Sequence, residues 1–395
     1  MTSWFSQGRI YLDAAAGEQT STRALEAFQD ASRAYGNPSS PHEEGRAARA
    51  YLEKARKTLA RLAEVKPEGV IFTSHATEAN NLLILGHLKV LKEKGRPYSS
   101  MHVLYLPSSH SSILSVIEEA ARLGVVTEAL SVPKGALDLK QLALQLRDNT
   151  VLVLVDGVCG ETGIRFPVRD VRRALLHRYT SNTPLLHVDA TQLPTACPFE
   201  LTRLGADSLS LDSQKVGGVR GCGALILAHT IPLSPLLFGG GQEKGLRPGT
   251  ENPALAHAFA VALEETHEER EAFVSREERL RTFLKEEIQK IPNVAVHEGT
   301  EQAPHILSIS LLGRDTDYLV TLLDTAGFSV ATKSACESDR EGSRAVFAYT
   351  GSTEQASSTL RVSWGKEVSM KDMRRFSRAL QKAVEFLDSA GILKT

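Results

Sequence analysis

Short apolar runs alternate with longer stretches of helical pattern between residues 70 and 211, and that alternation limits the fold more than any other feature. Val70 to Phe72, Val103 to Leu106, Val151 to Val155, Leu185 to Val188 and Leu209 to Leu211 read as strands. Stretches such as Asn80 to Glu93 and Val168 to Tyr179 read as the helices between them. The pattern predicts an α/β fold whose sheet is mostly parallel, with helices on both faces. Ligands of such sheets sit at the carboxyl ends of the strands. Thr73 to Glu78, Ser108 to His110, Asp189 and Asp212 to Lys215 each follow an apolar run immediately, so they are expected to share one crevice.

From Asn252 onward a long charged segment, EETHEEREAFVSREERLRTFLKEEIQK, carries many possible ion pairs at helical spacing and reads as a solvated connecting helix, with a partner-binding face as the alternative. Ile306 to Leu311, Tyr318 to Ala326 and Met373 to Leu387 then supply strands and helices for a smaller unit. The expected division is a large domain over residues 13–255 and a small α+β domain over residues 256–395, which the N-terminal arm, residues 1–12, joins.

The chain has 395 residues, 42% of them hydrophobic, enough for two domains and a large core. Lys and Arg number 46 against 47 Asp and Glu, with no long basic run, which argues against direct nucleic-acid binding. The opening MTSWFSQGRIYLD has no basic segment followed by an apolar core, and no stretch approaches a membrane span, so a cytoplasmic location is the default. Cys159, Cys197, Cys222 and Cys336 are far apart, and neither a metal site nor a disulfide framework is expected.

Lys215 follows an apolar run and precedes Gly217, Gly218 and Gly221. A lysine at a strand end facing a pocket loses hydration and is tuned toward the neutral amine that imine formation with an aldehyde cofactor requires. Asp189, in LLHVDATQ, suits a carboxylate that keeps a pyridine nitrogen protonated; alone it is equally a turn residue or a helix cap. The start of a helix near Ser74 to Thr77 offers free N–H groups and the positive dipole end to a phosphate, or simply a capped helix.

Taken as a set, YLDAAA, YGNPSSPHEEGRAAR, FTSHATEANN, HVDATQ, the Lys215 segment, GGGQEKGLRPGTEN, SAC and TLRVSWG follow the order seen in cysteine desulfurases, pyridoxal-phosphate enzymes of the class V aminotransferase group, which the chain resembles from Tyr11 to about Gly365. The resemblance implies fold type I, the pyridoxal-phosphate-dependent transferase fold, with a mostly parallel seven-stranded sheet in the large domain. It implies a homodimer that takes L-cysteine, releases L-alanine and passes sulfur to an acceptor protein, an iron–sulfur scaffold among the candidates. Lys215 would carry the cofactor, Asp189 would pair with its ring nitrogen, and Gln192 would hydrogen-bond its phenolic oxygen. Ala76 and Thr77 would bind its phosphate, and His110 would stack on the ring and move protons. Thr250 would reach the phosphate in the neighbouring subunit, Arg361 would hold the substrate carboxylate, and Asn37 would border the substrate site or form a turn. Cys336, with Lys333 nearby, would be the thiol that takes the sulfur. Its spacing from Arg361 leaves room for an extended loop.

Three departures bear on the cofactor. The family usually has Ser-x-His-Lys where this chain has Asp212, Ser213, Gln214 and Lys215. An ionised Asp212 facing the phosphate costs about 4 kcal/mol per pair of unit charges at about 4 Å and an effective dielectric near 20, roughly a thousandfold in affinity. Either Asp212 points elsewhere, or Arg220 neutralises it, or cofactor binding is impaired; an Asp212–Arg220 pair is the favoured expectation. Cys159 stands where an asparagine usually supports the phenolic oxygen, and Thr332 and Lys333 replace serine and glycine before SAC. Selenocysteine cleavage, transamination and a non-catalytic homodimeric scaffold are the alternative functions.

Overall fold

The computed structural model describes residues 8–332 and 342–391; Lys333 and Cys336 lie outside the described residues. Seven strands form the central sheet: β1 (Val70–Thr73), β2 (His102–Tyr105), β3 (Val126–Ala129), β4 (Thr150–Asp156), β5 (Leu185–Asp189), β6 (Ser208–Asp212) and β7 (Gly223–Leu227). Their spatial order is β1-β7-β6-β5-β4-β2-β3. Only β7 runs against its two neighbours, and the other pairings are parallel. The expected α/β sheet is thus present, and all five expected strands lie in it. The two additional strands are an edge, β3, and the glycine-led β7.

Successive strand residues point to opposite faces, and the sheet buries both. Phe72, Val153, Val188, Leu209 and Ile226 pack on one side with Leu52 and Leu59 of α1 (Glu43–Leu62). Ile71, Val103, Leu152, Leu154 and Leu225 pack on the other with α2 (Ala76–Glu93) and α3 (Ser111–Arg122).

The charged segment forms α4 (Pro253–Ile288), 36 residues and about 54 Å long at 1.5 Å per residue. It is less solvated than its charge suggests. Ala256, Phe259 and Leu263 enter the core of the large sheet, whereas Leu280, Leu284 and Ile288 enter a second core. Even Glu277 is fully buried, accepting Trp364 Nε1 at 2.6 Å. That second core covers the antiparallel sheet of β8 (Val294–His297), β9 (Ile306–Leu311) and β10 (Thr359–Ser363), backed by α5 (Met370–Ala390).

The N-terminal Ile10–Tyr11 pairs with Phe328–Ser329, and Leu12 lies in the second core. Beyond it, Ala14 N donates to Ser363 O at 3.1 Å and Ala15 N to Ser363 Oγ at 2.9 Å. The chain is thereby pinned to β10 as it passes toward the ends of the central strands.

Candidate active site

Residues 213–215 form a single 3-10 turn directly after β6. The return of the chain is so close that a Cβ on Gly218 would lie 2.2 Å from Ser213 Oγ, and Gly217 adopts φ +74. The tight turn directs Lys215 at the pinned N-terminal segment: its Nζ donates to Ala15 O at 2.7 Å and Ala16 O at 2.8 Å. Gln192, just beyond β5, donates Nε2 to the same Ala15 carbonyl at 2.9 Å. Lys215 and Gln192 therefore meet over one acceptor.

Asp189 ends β5 and is buried. One carboxylate oxygen accepts Thr191 N at 3.1 Å and Thr191 Oγ1 at 2.8 Å; the other accepts Asn80 Nδ2 at 2.9 Å. Asn80, one turn into α2, is fully buried and also donates to Ser112 Oγ at 2.9 Å, while its Oδ1 accepts His187 Nε2 at 2.9 Å. Ser112 N donates to His110 Nδ1 at 3.1 Å, and Ser112 Oγ lies 3.0 Å from the same nitrogen. An Nδ1 that accepts a backbone N–H carries no proton, so the neutral ring bears its proton on Nε2. A continuous chain, Asp189–Asn80–Ser112–His110, thus joins the carboxylate expected at the cofactor ring nitrogen to the expected proton carrier.

Asn80 and Asp156 were missed in the sequence. Asn80 lies one helical turn after Ala76, on the same face, within the quoted FTSHATEANN. Asp156 is the polar end of an apolar run, the same signal that marks Asp189. The two aspartates are register partners on β4 and β5, with backbones about 4.8 Å apart. Burial, and next the Asp189 charge, push Asp156 up to about 8. Ser109 Oγ donates to it at 2.7 Å.

At the start of α2 the expected Asp212–Arg220 pair is not made. Arg220 is exposed, and the charges that reach Asp212 are those of His75 and Lys215. Asp212 instead accepts Ala76 N at 3.1 Å and Gln214 N at 3.2 Å. The reason lies in its register partner Gly223: a Cβ there would sit 2.5 Å from His75 C and 2.8 Å from Ala76 N. Glycine lets β7 press against the helix start and brings the end of β6 onto the amide. Ser74 N is likewise taken by Glu78 Oε2, at 2.6 Å, and Glu78 is held by Arg247 at 3.1 Å. Thr77 is exposed on the first turn.

Arg361, on β10, is buried at 4% exposure; it donates to Gly160 O at 3.1 Å and to Asp13 Oδ1 at 2.7 Å, while its Nε has no partner among the described residues. Asp13, also missed, closes the apolar run that begins at Ile10. Cys159 is buried with Sγ 3.8 Å from Ser108 O, and burial pushes its thiol up to about 11, so it is inert. Two expected residues stand apart. Asn37 is exposed and spends its Oδ1 on Ser39 N at 2.9 Å, a turn contact. Thr250 is exposed on the loop after Gly249.

Pyridoxal phosphate needs an amine, a carboxylate for its ring nitrogen and an anion-binding helix start. Lys215, the Asn80-held Asp189 and the Ala76 amide fit those needs. At the phosphate end a side-chain anion, Asp212, is on the amide.

The aminotransferase class-V family model matches residues 10–376. Cysteine desulfurase IscS 1 of Archaeoglobus fulgidus is 31% identical over 383 residues, with 96% of this chain and 98% of that protein covered. Selenocysteine lyase of Xenopus tropicalis is 29% identical over 407 residues, with 96% and 94% covered. A solved NifS-like protein superposes with a TM-score of 0.87 at 28% identity, covering 96% of this chain and 100% of its own. The chain therefore belongs to the class-V aminotransferase family, whose cysteine desulfurases are pyridoxal-phosphate-dependent sulfurtransferases.

Proposed function

We propose that the protein is a cysteine desulfurase: it takes sulfur from L-cysteine, releases L-alanine and holds the sulfur as a persulfide for an acceptor protein. The observation that carries this reading is the convergence of Lys215 and Gln192 on Ala15 O, in a chain similar over its length to a cysteine desulfurase. Bound pyridoxal phosphate supplies an aldehyde for the substrate amine and an electron-withdrawing ring.

The protein's residues do the rest. Asp189, fixed by Asn80 and Thr191, holds the ring-nitrogen proton, and Gln192 supports the phenolic oxygen. Lys215 and His110 move protons at the reacting carbon, His110 from Nε2. Arg361, its charge balanced by Asp13, presents its remaining N–H groups to the substrate carboxylate, a fork that matches two oxygens. The Cys336 thiolate attacks the substrate sulfur: an S–S bond forms, the C–S bond breaks, and the pair left on carbon takes a proton to give alanine. The working unit is a homodimer, with the exposed Thr250 turned to the second copy.

The test is product analysis with L-cysteine and with L-selenocysteine. Alanine with enzyme-bound sulfur, lost in Cys336→Ser while the cofactor absorbance stays, supports desulfuration. Turnover confined to selenocysteine favours the activity named for the Xenopus tropicalis relative. A keto-acid product would mean transamination.

A further inference from the structure

The phosphate end of the site already contains a carboxyl group. Asp212 is 5% exposed, and its two oxygens are divided between Ala76 N, at the start of α2, and Gln214 N, in its own turn. The amide of a helix's first residue is the place where an anionic ligand gains most, since N–H and dipole point the same way. A phosphate using that amide meets the carboxylate at hydrogen-bond range.

The surroundings of Asp212 offer little fixed compensation. His75, on the loop before α2, and Lys215, on the turn after β6, are the cationic groups that act on it, and Lys215 is committed to the Ala15 and Ala16 carbonyls and to the cofactor aldehyde. Across the strand pair lie Cys222, Glu243 and the Glu78–Arg247 pair. Glu243 is bound by Arg56, so its charge is already balanced. Burial holds Asp212 above the ordinary carboxylate range, against the pull of the Ala76 N–H and of His75.

We propose that Asp212 is a built-in occupant of the phosphate site, holding the Ala76 amide until the cofactor arrives, and that loading the phosphate requires Asp212 to take up one proton. The inference rests on the pyridoxal-phosphate reading of the site. It makes Asp212 a residue that sets affinity for the cofactor's charged end: binding tightens as pH falls, and the free protein has its helix start capped without a ligand.

The experiment uses the full chain freed of cofactor with hydroxylamine, in wild-type and Asp212→Ser forms. The Kd for pyridoxal phosphate, read from bound-cofactor absorbance, is measured between about pH 6.5 and about pH 8.5, where one linked proton makes affinity fall about tenfold per pH unit. The wild type is expected to lose about a hundredfold more affinity over that interval than Asp212→Ser. Calorimetry in two buffers of different ionisation enthalpy should count one more proton taken up by the wild type. Pyridoxal, which lacks the phosphate, should bind both forms alike. Parallel pH profiles with equal proton counts would overturn the proposal. Failure of both forms to attach pyridoxal phosphate or pyridoxal to Lys215 would instead sink the cofactor reading and the proposal with it. Should Asp212→Ser fail to fold, Asp212→Asn keeps the acceptor and shape without the charge, and the same comparison applies.

Discussion

Glu243→Gln should destabilise the protein far more than an isosteric change usually does. Among the described residues β1 is an edge strand, pairing with β7 alone. On its open side Phe72 N donates to Glu243 Oε2 at 2.8 Å, and Val70 O accepts Arg56 Nη1 at 2.8 Å. Arg56 and Glu243 also bind each other at 2.6 and 2.9 Å, with side chains 11% and 1% exposed. The pair thus completes the ladder that an edge leaves open and fastens the loop that leads to Thr250. Burial alone would pull the arginine down, but the Glu243 hydrogen bonds and charge outweigh it and raise it.

Neutralising Glu243 removes the buried partner and leaves the guanidinium only the half-exposed Glu53, 3.1 Å from its Nε; loss of one member of a buried pair costs about 3–5 kcal/mol. A chain of 395 residues unfolds with about 0.8 kcal/mol per degree of entropy, so the melting temperature should drop about 4–6 °C. Differential scanning calorimetry reads this directly. The double replacement Arg56→Met with Glu243→Met should recover much of the loss, because the one charge left unpaired, Glu53, is 43% exposed, although it leaves the β1 edge unpaired. A drop under about 1 °C for Glu243→Gln would refute the argument, since it would place the pair among exposed ones worth little.

Other outcomes are expected together. Lys215→Ala should abolish the covalent cofactor attachment that borohydride traps, with the fold intact by circular dichroism; cofactor trapped on the variant would remove Lys215 from its role. Asn80→Ala strips partners from Asp189, Ser112 and His187 at once and should weaken pyridoxal-phosphate binding about tenfold or more, the worth of one hydrogen bond to a charged group; unchanged affinity would show that Asp189 needs no such support. Burial holds His187, His297 and His305 near 4. Their unfolded values lie near 6.5, so stability is full above about pH 6.5 and falls as pH drops toward about 4, by about 1.4 kcal/mol per pH unit for each. Melting scans from neutral to acid pH check this, and His305→Gln should flatten part of the slope; an unaltered slope would contradict it.

What could be read in advance followed from how directly each residue's surroundings were encoded. Strands buried on both faces announce themselves as apolar runs, so the sheet and the position of Asp189 and Lys215 at its strand ends were legible. The edge strand β3 is half exposed and mixed in composition, and β7 hides behind its glycines. The burial of α4 is understated by its composition because some of its charged residues are buried in pairs, as Glu277 is with Arg276 and Trp364. Asp212 is legible as a charged residue at a strand end, but its partner is not. Arg220, eight residues on, was a nearby cation in the sequence, whereas the Ala76 amide is 136 positions distant and reaches it only because Gly223 lets two backbones touch. Asn80 was hidden for a related reason: its three partners come from β5 and α3.

The central claim, sulfur transfer from cysteine to this chain, is tested most directly by a single turnover. Stoichiometric L-cysteine is added to protein loaded with pyridoxal phosphate, and alanine is counted alongside the mass of the peptide containing Cys336. The account predicts one alanine for each Cys336 that gains one sulfur atom, and neither product in Lys215→Ala. Alanine formed with no added sulfur on Cys336, or cysteine recovered unchanged from fully loaded protein, would contradict it.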